Sequence, residues 1–134
     1  MAAGIYNFTI EQGTTFQRTF KYKDSEGTPI DLTNYDVNMD VRSSISDSTA
    51  ILDINESSAT KNGVDLTDDT FFTITSASVS ASANEINLTI DADTTASMSF
   101  DTAVYDIEIS DNSTPKVITR ILQGKIKLSK EVTR

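Results

Sequence analysis

Hydrophobic and polar residues alternate with a period of two along most of the chain, which is the pattern of strands with one buried face. The clearest case is DVNMDVR, in which Val37, Met39 and Val41 alternate with polar residues. The same alternation recurs in GIYNFTI, TTFQRTFKYK, ILDIN, FFTIT, EINLTI, YDIEIS and VITRILQGKIKL. No stretch sustains the period of 3.6 residues that marks a helix. The pattern predicts an all-β domain of about eight to nine short strands.

Turn signals separate these segments at intervals of roughly ten residues, a spacing typical of β-sandwiches and barrels. Gly27 and the dipeptide Asn62-Gly63 provide turn chemistry between strands. Asp91 or Asp93 is predicted to cap a single helical turn that ends near Met98. The 134 residues suit one domain. We therefore expect residues 1–134 to form a single antiparallel β-sandwich.

The closing segment RILQGKIKLSKEVTR reads as the last strand of a hairpin that begins in YDIEIS. Gly124 falls in phase with its apolar residues, where a β-bulge or a close crossing of the sheets would favour a missing side chain. Those apolar residues are Ile118, Leu122, Ile126 and Leu128. Lys125 and Lys127 alternate with them and are expected to face solvent, an arrangement that suits an edge strand.

Charge is distributed unevenly along the chain. Residues 116–134 hold six basic side chains and one acidic one, a net charge of +5, which leaves −14 for the rest of a chain whose net charge is −9. An acidic chain is repelled by phosphate, and the basic segment has no stacking aromatic, so we expect neither nucleic acid nor membrane as a partner. The basic side chains either contact a protein partner or balance nearby carboxylates. They are Lys116, Arg120, Lys125, Lys127, Lys130 and Arg134.

The residue types that are absent limit the chemistry. The chain has no cysteine and no histidine, which removes disulfides, thiolate ligands and the commonest general base. Paired acids occur, but Asp106 and Glu108 alternate with apolar residues and are expected in solvent without a raised pKa. Asp91-x-Asp93 resembles the start of a calcium loop that its sixth and twelfth positions, Ala96 and Thr102, do not complete. We expect no enzymatic activity, no metal and no cofactor.

Two further features bear on location. No apolar run approaches the roughly 20 residues that span a bilayer. The beginning, MAAGIYNFTIEQG, has neither a basic region nor an uninterrupted apolar segment, so no signal peptide is expected.

Both ends of the sequence resemble a group of small bacteriophage virion proteins. YNFTIEQGTTFQRTFKYKDSEGTPIDLTNYDVNMDVRSS is similar to the opening of that group, and YDIEIS with TRILQGKIKLSKEVTR is similar to its close. The matching regions are residues 5–43 and 104–134. The positions that carry the resemblance are Gln12, Gly13, Phe16, Gly27, Pro29, Asp31, Leu32, Tyr35, Arg42, Tyr105, Asp106, Glu108, Arg120, Gly124, Val132 and Thr133.

The group resembles the immunoglobulin-like N-terminal domains of baseplate and tail-tip proteins, which attach receptor-binding proteins or fibres. The resemblance implies a virion protein assembled in the host cytoplasm, acting as an adaptor or fibre-attachment module of the tail or baseplate. Its partners would be other virion proteins and copies of itself. The residues expected to support the fold are Gly13, Phe16, Gly27, Leu32, Tyr35, Tyr105 and Gly124.

Two alternatives remain open from the sequence. One is a capsid decoration or head–tail joining protein. The other is a small carbohydrate- or calcium-binding β-sandwich, which predicts an exposed aromatic cluster, whereas most aromatic residues here occupy the apolar phase of their strands.

Overall fold

A computed structural model of the chain describes residues 4–22, 26–27, 32, 35–55, 59–61, 64–65, 71–75, 85–111 and 114–132. The strands within these ranges are β1 Gly4–Ile5, β2 Phe8–Glu11, β3 Phe16–Lys21, β4 Asp36–Arg42, β5 Leu52–Asn55, β6 Ala59–Lys61, β7 Val64–Asp65, β8 Phe71–Thr75, β9 Glu85–Ile90, β10 Thr102–Ser110 and β11 Ile118–Ser129. A helical turn, α1, covers Ala92–Ala96. The predicted turn at Asn62-Gly63 lies outside the described residues.

The strands form two sheets. The large sheet has the order β1-β11-β10-β4-β5-β6-β7, with β2 also paired to β11, and the small sheet has the order β3-β9-β8. Neighbouring strands are antiparallel, except that β1 and β2 run parallel to β11. Nine of the described strands have three or more residues, in agreement with the predicted number. The all-β prediction with two sheets in a sandwich-like arrangement is confirmed.

The apolar phase of the strands from both sheets forms one hydrophobic core. On β4 the residues Val37, Met39 and Val41 are buried, and on β9 the residues Ile86, Leu88 and Ile90 are buried. Each fully buried aliphatic side chain contributes about 1.5–3 kcal/mol of transfer free energy. Leu32 and Met98 complete the core from outside the strands.

The helical turn α1 connects β9 of the small sheet to β10 of the large sheet. Its N-cap is Asp91, whose carboxylate accepts a hydrogen bond of 3.0 Å from the backbone N–H of Asp93. This confirms the predicted cap. None of the described helical segments has the length and apolar character needed to cross a membrane.

Two expectations for the last strand are wrong. First, β11 is internal rather than an edge, because β10 pairs with one side of it and β1 and β2 with the other. Second, the bulge lies at Ile121, where the register with β10 shifts between Ile107 and Glu108, and not at Gly124. Because a one-residue shift reverses the faces of a strand, Ile118 is turned outward and is 61% exposed.

Gly124 is required for a different reason. It pairs directly with Tyr105 in the ladder, and a Cβ atom at this position would overlap the carbonyl oxygen of Tyr6. The glycine therefore admits the backbone of the first strand against the last, the close approach that was the second expectation for it.

Candidate interaction surface

The solvent-facing side of the large sheet carries a compact set of charged side chains, because residues next to the buried ones point to the opposite face. We define the outer face as Thr102, Val104, Asp106 and Glu108 of β10 together with their register partners on β11, β4 and β5 that point the same way. Those partners are Lys127, Lys125, Gln123, Arg120, Arg42, Asp40, Asn38, Asp53 and Asn55.

Two adjacent rows across the outer face have opposite charge. Asp53, Asp40 and Asp106 lie directly opposite one another on β5, β4 and β10, and we call them the carboxylate row. One step away, Arg42 and Lys125 flank Val104 on β4 and β11, and we call them the cation row. The strand register therefore converts charges that are distant in sequence into two neighbouring bands.

Ion pairs within the chain order part of this surface. Arg42 Nη2 lies 3.0 Å from Asp40 Oδ2. Arg120 Nε lies 3.3 Å from Asp106 Oδ2 and 3.9 Å from Glu108 Oε2. These partly exposed pairs each contribute about 0–1 kcal/mol to stability, so their main effect is to orient the charged groups.

The carboxylate row is not fully solvated. Burial, reinforced by the charge of Asp40, raises the pKa of the Asp53 carboxyl, and its Oδ1 atom is buried without a hydrogen-bond partner. Burial also raises the pKa of Asp106, although the Arg120 guanidinium opposes this shift. The expectation that Asp106 would be solvated with an ordinary pKa is therefore wrong, because the strands packed on both sides of it restrict water.

A groove of about 700 Å³ crosses the outer face. Its floor includes Val104 and the backbone of Gly124, and charged residues of both rows line it. Ile5 and Ile45 also line it, and their side chains are 78% and 90% exposed. Large aliphatic side chains exposed beside an open charged groove are typical of protein-binding surfaces.

The predicted basic residues fall in different places. Arg120, Lys125 and Lys127 lie on the outer face, whereas Lys116 lies in the exposed connection between β10 and β11. Lys130 is 3.6 Å from Asp101 Oδ1 and donates to the carbonyl of Ser99. Arg134 lies outside the described residues. The structure therefore brings three of the six together and leaves Lys116 and Lys130 apart from them.

A second cluster lies between the sheets, around Arg18. The Arg18 guanidinium lies 5.3 Å from the ring centre of Phe16, 5.8 Å from that of Tyr6 and 5.9 Å from that of Phe8. It also donates a hydrogen bond to the Tyr6 hydroxyl. The Tyr105 hydroxyl donates to the carbonyl of Tyr6 at 2.5 Å. In sequence, the signal for this cluster is an arginine in phase with Phe16 and other apolar residues of β3, and its stacking role was not predicted.

The residues expected to support the fold occupy structurally demanding positions. Gly13 and Gly27 both have a φ of 84°, which strongly favours glycine. A side chain at Gly13 would also overlap the carboxylate of Glu131. Phe16, Leu32 and Tyr105 are buried in the core, and Tyr35 is half-buried against it. Pro29, Asp31 and Thr133 lie outside the described residues.

Metal binding and catalysis have no assembled site within the described ranges. No group of three or more Asp or Glu side chains there is arranged to hold a metal ion. Asp91, the first residue of the incomplete calcium pattern, instead accepts from the backbone of α1. The expected acid pair Asp68 and Asp69 lies outside the described residues.

Comparison with known proteins identifies no family. No protein-family model matches the chain, and no curated protein matches it. Among solved structures, the chain is similar to a nucleoside hydrolase-related hypothetical protein from Saccharophagus degradans that is associated with carbohydrate metabolism, with a TM-score of 0.36 and 13% identity. The match covers 96% of this chain but 23% of that protein, so the chain spans less than a quarter of its length.

Proposed function

We propose that the chain is a non-enzymatic structural protein of a phage virion. It acts as an adaptor or fibre-attachment module of the tail or baseplate, through contacts with other virion proteins and with copies of itself. The observation that carries the proposal is the outer face, where exposed isoleucines border an open groove with ordered charges of both signs. Such a mixture suits a protein partner better than a small substrate, which is usually held in an enclosed, mostly apolar pocket.

We further propose that the sandwich is immunoglobulin-like. The order β11-β10-β4-β5 in the large sheet and β3-β9-β8 in the small sheet corresponds to strands G, F, C and C′ facing B, E and D. The chain lacks the cysteines and tryptophan that mark antibody domains. The stacked rings of Phe8 and Phe16, 5.2 Å apart, and the contact of Phe8 with Tyr105 at 5.0 Å join the two sheets instead.

The resemblance of both chain ends to phage proteins supports the virion context, and the structure gives several of the shared residues a physical role. Gln12 Nε2 donates to the carbonyl of Met98 at 2.8 Å, and Gln12 Oε1 accepts from the N–H of Glu131 at 2.8 Å. Gly13 N–H donates to Thr95 Oγ1 at 3.1 Å. The Gln12-Gly13 turn thus joins α1 to the chain end after β11, which explains why the two ends are matched together.

The alternatives fit the described residues in different degrees. A capsid or head–tail joining protein would use the same kind of contacts, so only its place in the particle distinguishes it. A carbohydrate-binding sandwich requires exposed aromatic side chains, but Phe8, Phe16 and Tyr105 are buried, and Tyr6 and Phe20 pack against the core.

Immunogold electron microscopy tests the proposal. Antibodies raised against the purified chain would be applied to virions produced from the genome that encodes it, with virions from a deletion mutant as the control. We expect label at the tail or baseplate. Label on the capsid would favour the joining or decoration function, and virions that lack the chain would overturn the proposal.

A further inference from the structure

The outer face is balanced in charge although the whole chain is acidic. Within its four rows, the cations are Arg42, Arg120, Lys125 and Lys127, and the carboxylates are Asp40, Asp53, Asp106 and Glu108. The remainder of the chain therefore carries the whole net charge of −9. A purely basic or purely acidic partner would meet as many like charges as opposite ones on this surface, so neither is favoured by it.

The order of the charges along the strands is what makes the surface self-complementary. Lys127 and the cation row lie toward one end of the outer face, and the carboxylate row and Glu108 lie toward the other. A two-fold axis in the plane of the face, between the two central rows, would place the cation row of one copy over the carboxylate row of the other. The same operation repeats this contact on the other side of the axis, as required for an isologous interface.

The apolar groups of the groove are consistent with the same occupant. Ile5 and Ile45 stand at its border on β1 and on the connection between β4 and β5, and Val104 lies between the two members of the cation row. In a face-to-face pair, both isoleucines of each copy can leave water against the partner's groove. Cations from the partner would also compensate the crowded carboxylates of Asp53, Asp40 and Asp106.

We propose that the outer face is the self-association surface of this chain, with two copies packed face to face, the cation row of each against the carboxylate row of the other. This inference rests on the proposed adaptor function, because it names the first partner of the surface assigned there. The interface would place the two small sheets on the outside of the dimer, where they remain accessible to further partners.

A charge-swap experiment on the full chain tests the pairing. One variant carries Lys125→Glu and Lys127→Glu, and a second carries Asp106→Lys and Arg120→Glu, which inverts the internal ion pair without removing it. Sedimentation equilibrium should show a wild-type dimer that weakens with added salt, and at least a tenfold weaker dimer for each variant alone. An equimolar mixture of the two variants should recover a heterodimer, because opposite charges again face each other.

Two controls keep the test independent of folding. Lys116→Glu changes charge in the basic region but outside the outer face, so its dimer should equal the wild type. Ile45→Asp alters a side chain that is 90% exposed, so it should leave the unfolding transition unchanged and weaken the dimer at least tenfold. A monomeric wild type, an Ile45→Asp variant that dimerises normally, or variants that fail to recover on mixing would each overturn the inference.

The outcome is separable from that of the proposed function. Virions labelled by the antibody together with a strictly monomeric chain would retain the adaptor function and reject this surface. A dimer that follows the charge-swap pattern, with no label on virions, would retain the surface and reject the virion assignment.

Discussion

Asn7 Oδ1 accepts a 2.8 Å hydrogen bond from the backbone N–H of Lys125, at the point where β1 has ended and β2 has not begun. The two short strands keep one register along β11, since Ile5 is opposite Gln123 and Phe8 is opposite Ile126. The side chain of Asn7 therefore replaces a backbone acceptor in an interrupted parallel ladder. The first strand is held to the last across the interruption, beside the groove of the outer face.

Replacing Asn7 by Ala should lower the free energy of unfolding by about 1 kcal/mol, because the Lys125 N–H loses its acceptor. Asn7→Asp retains an acceptor oxygen and should cost less. Urea denaturation of the three proteins measures the difference, and amide exchange at Lys125 should accelerate in the alanine variant. Equal stabilities for Ala and Asp would show that the hydrogen bond contributes nothing to the ladder.

Gly124→Ala should be destabilising by about 1–3 kcal/mol, since the new methyl group overlaps the Tyr6 carbonyl oxygen and forces β1 away from β11. Gly4→Ala is the matched control on the facing strand, because a Cβ atom there would meet its nearest neighbour, Leu122 Cδ1, at 3.4 Å. Chemical denaturation compares the two. If Gly124→Ala costs no more than Gly4→Ala, the close approach of Tyr6 is not a constraint on the fold.

The strands of this protein were predictable because their alternation is local. Val37, Met39 and Val41 follow one another at a spacing of two, and the core simply buries that face. Asp91 was likewise predictable as a cap, because capping depends on the residues immediately after it. The position of Ile118 was not, because the bulge at Ile121 arises from how β11 fits β10, and a single inserted residue reverses the face of everything before it.

The candidate site depends on register and was therefore the least predictable part. Asp53, Asp40 and Asp106 come from three strands, and each looks like an ordinary solvent-facing residue within its own strand. Their juxtaposition requires two strand pairings that no local pattern specifies. The raised pKa of Asp106 follows from the same juxtaposition, which explains why an analysis of YDIEIS alone placed this carboxylate in free solvent.

Gln12→Ala should destabilise the protein by about 1–2 kcal/mol, because both ends of the Gln12 amide are used. Its Nε2 donates to Met98 O, and its Oε1 accepts from Glu131 N–H. Gln12→Glu keeps the acceptor and loses the donor, and should give an intermediate value. Thermal unfolding gives the ranking, and a Gln12→Glu variant as stable as the wild type would mean that the contact with α1 is dispensable.

Arg18→Ala should cost about 1–2 kcal/mol, since it removes both the stacking of the guanidinium on three rings and the aliphatic stem that packs with it. Arg18→Met is the matched variant, because it keeps an unbranched apolar stem and removes the charge. The difference between the two, measured by urea denaturation, separates packing from the cation–π contribution. If Met and Ala are equally destabilised, the charge carries the interaction.

Asp53→Asn should raise the free energy of unfolding at pH 7 by about 1 kcal/mol, because an amide removes a partly buried charge and can donate to the neighbouring Asp40 carboxylate. Arg42 and Asn38 face the same carboxylates from β4 and remain unchanged. Denaturation at dilute concentration between pH 7 and pH 4 would measure the two proteins as monomers.

The pH dependence gives this prediction its sign. The folded-state pKa of Asp53 is raised above 3.8, so the folded chain takes up the proton before the unfolded chain does. The cost of the buried charge is therefore fully present above the raised pKa and is relieved as the pH falls through it toward 3.8. The advantage of Asp53→Asn should shrink over that interval. A constant advantage from pH 7 to pH 4 would mean that Asp53 titrates alike in both states and that the carboxylate row is solvated after all.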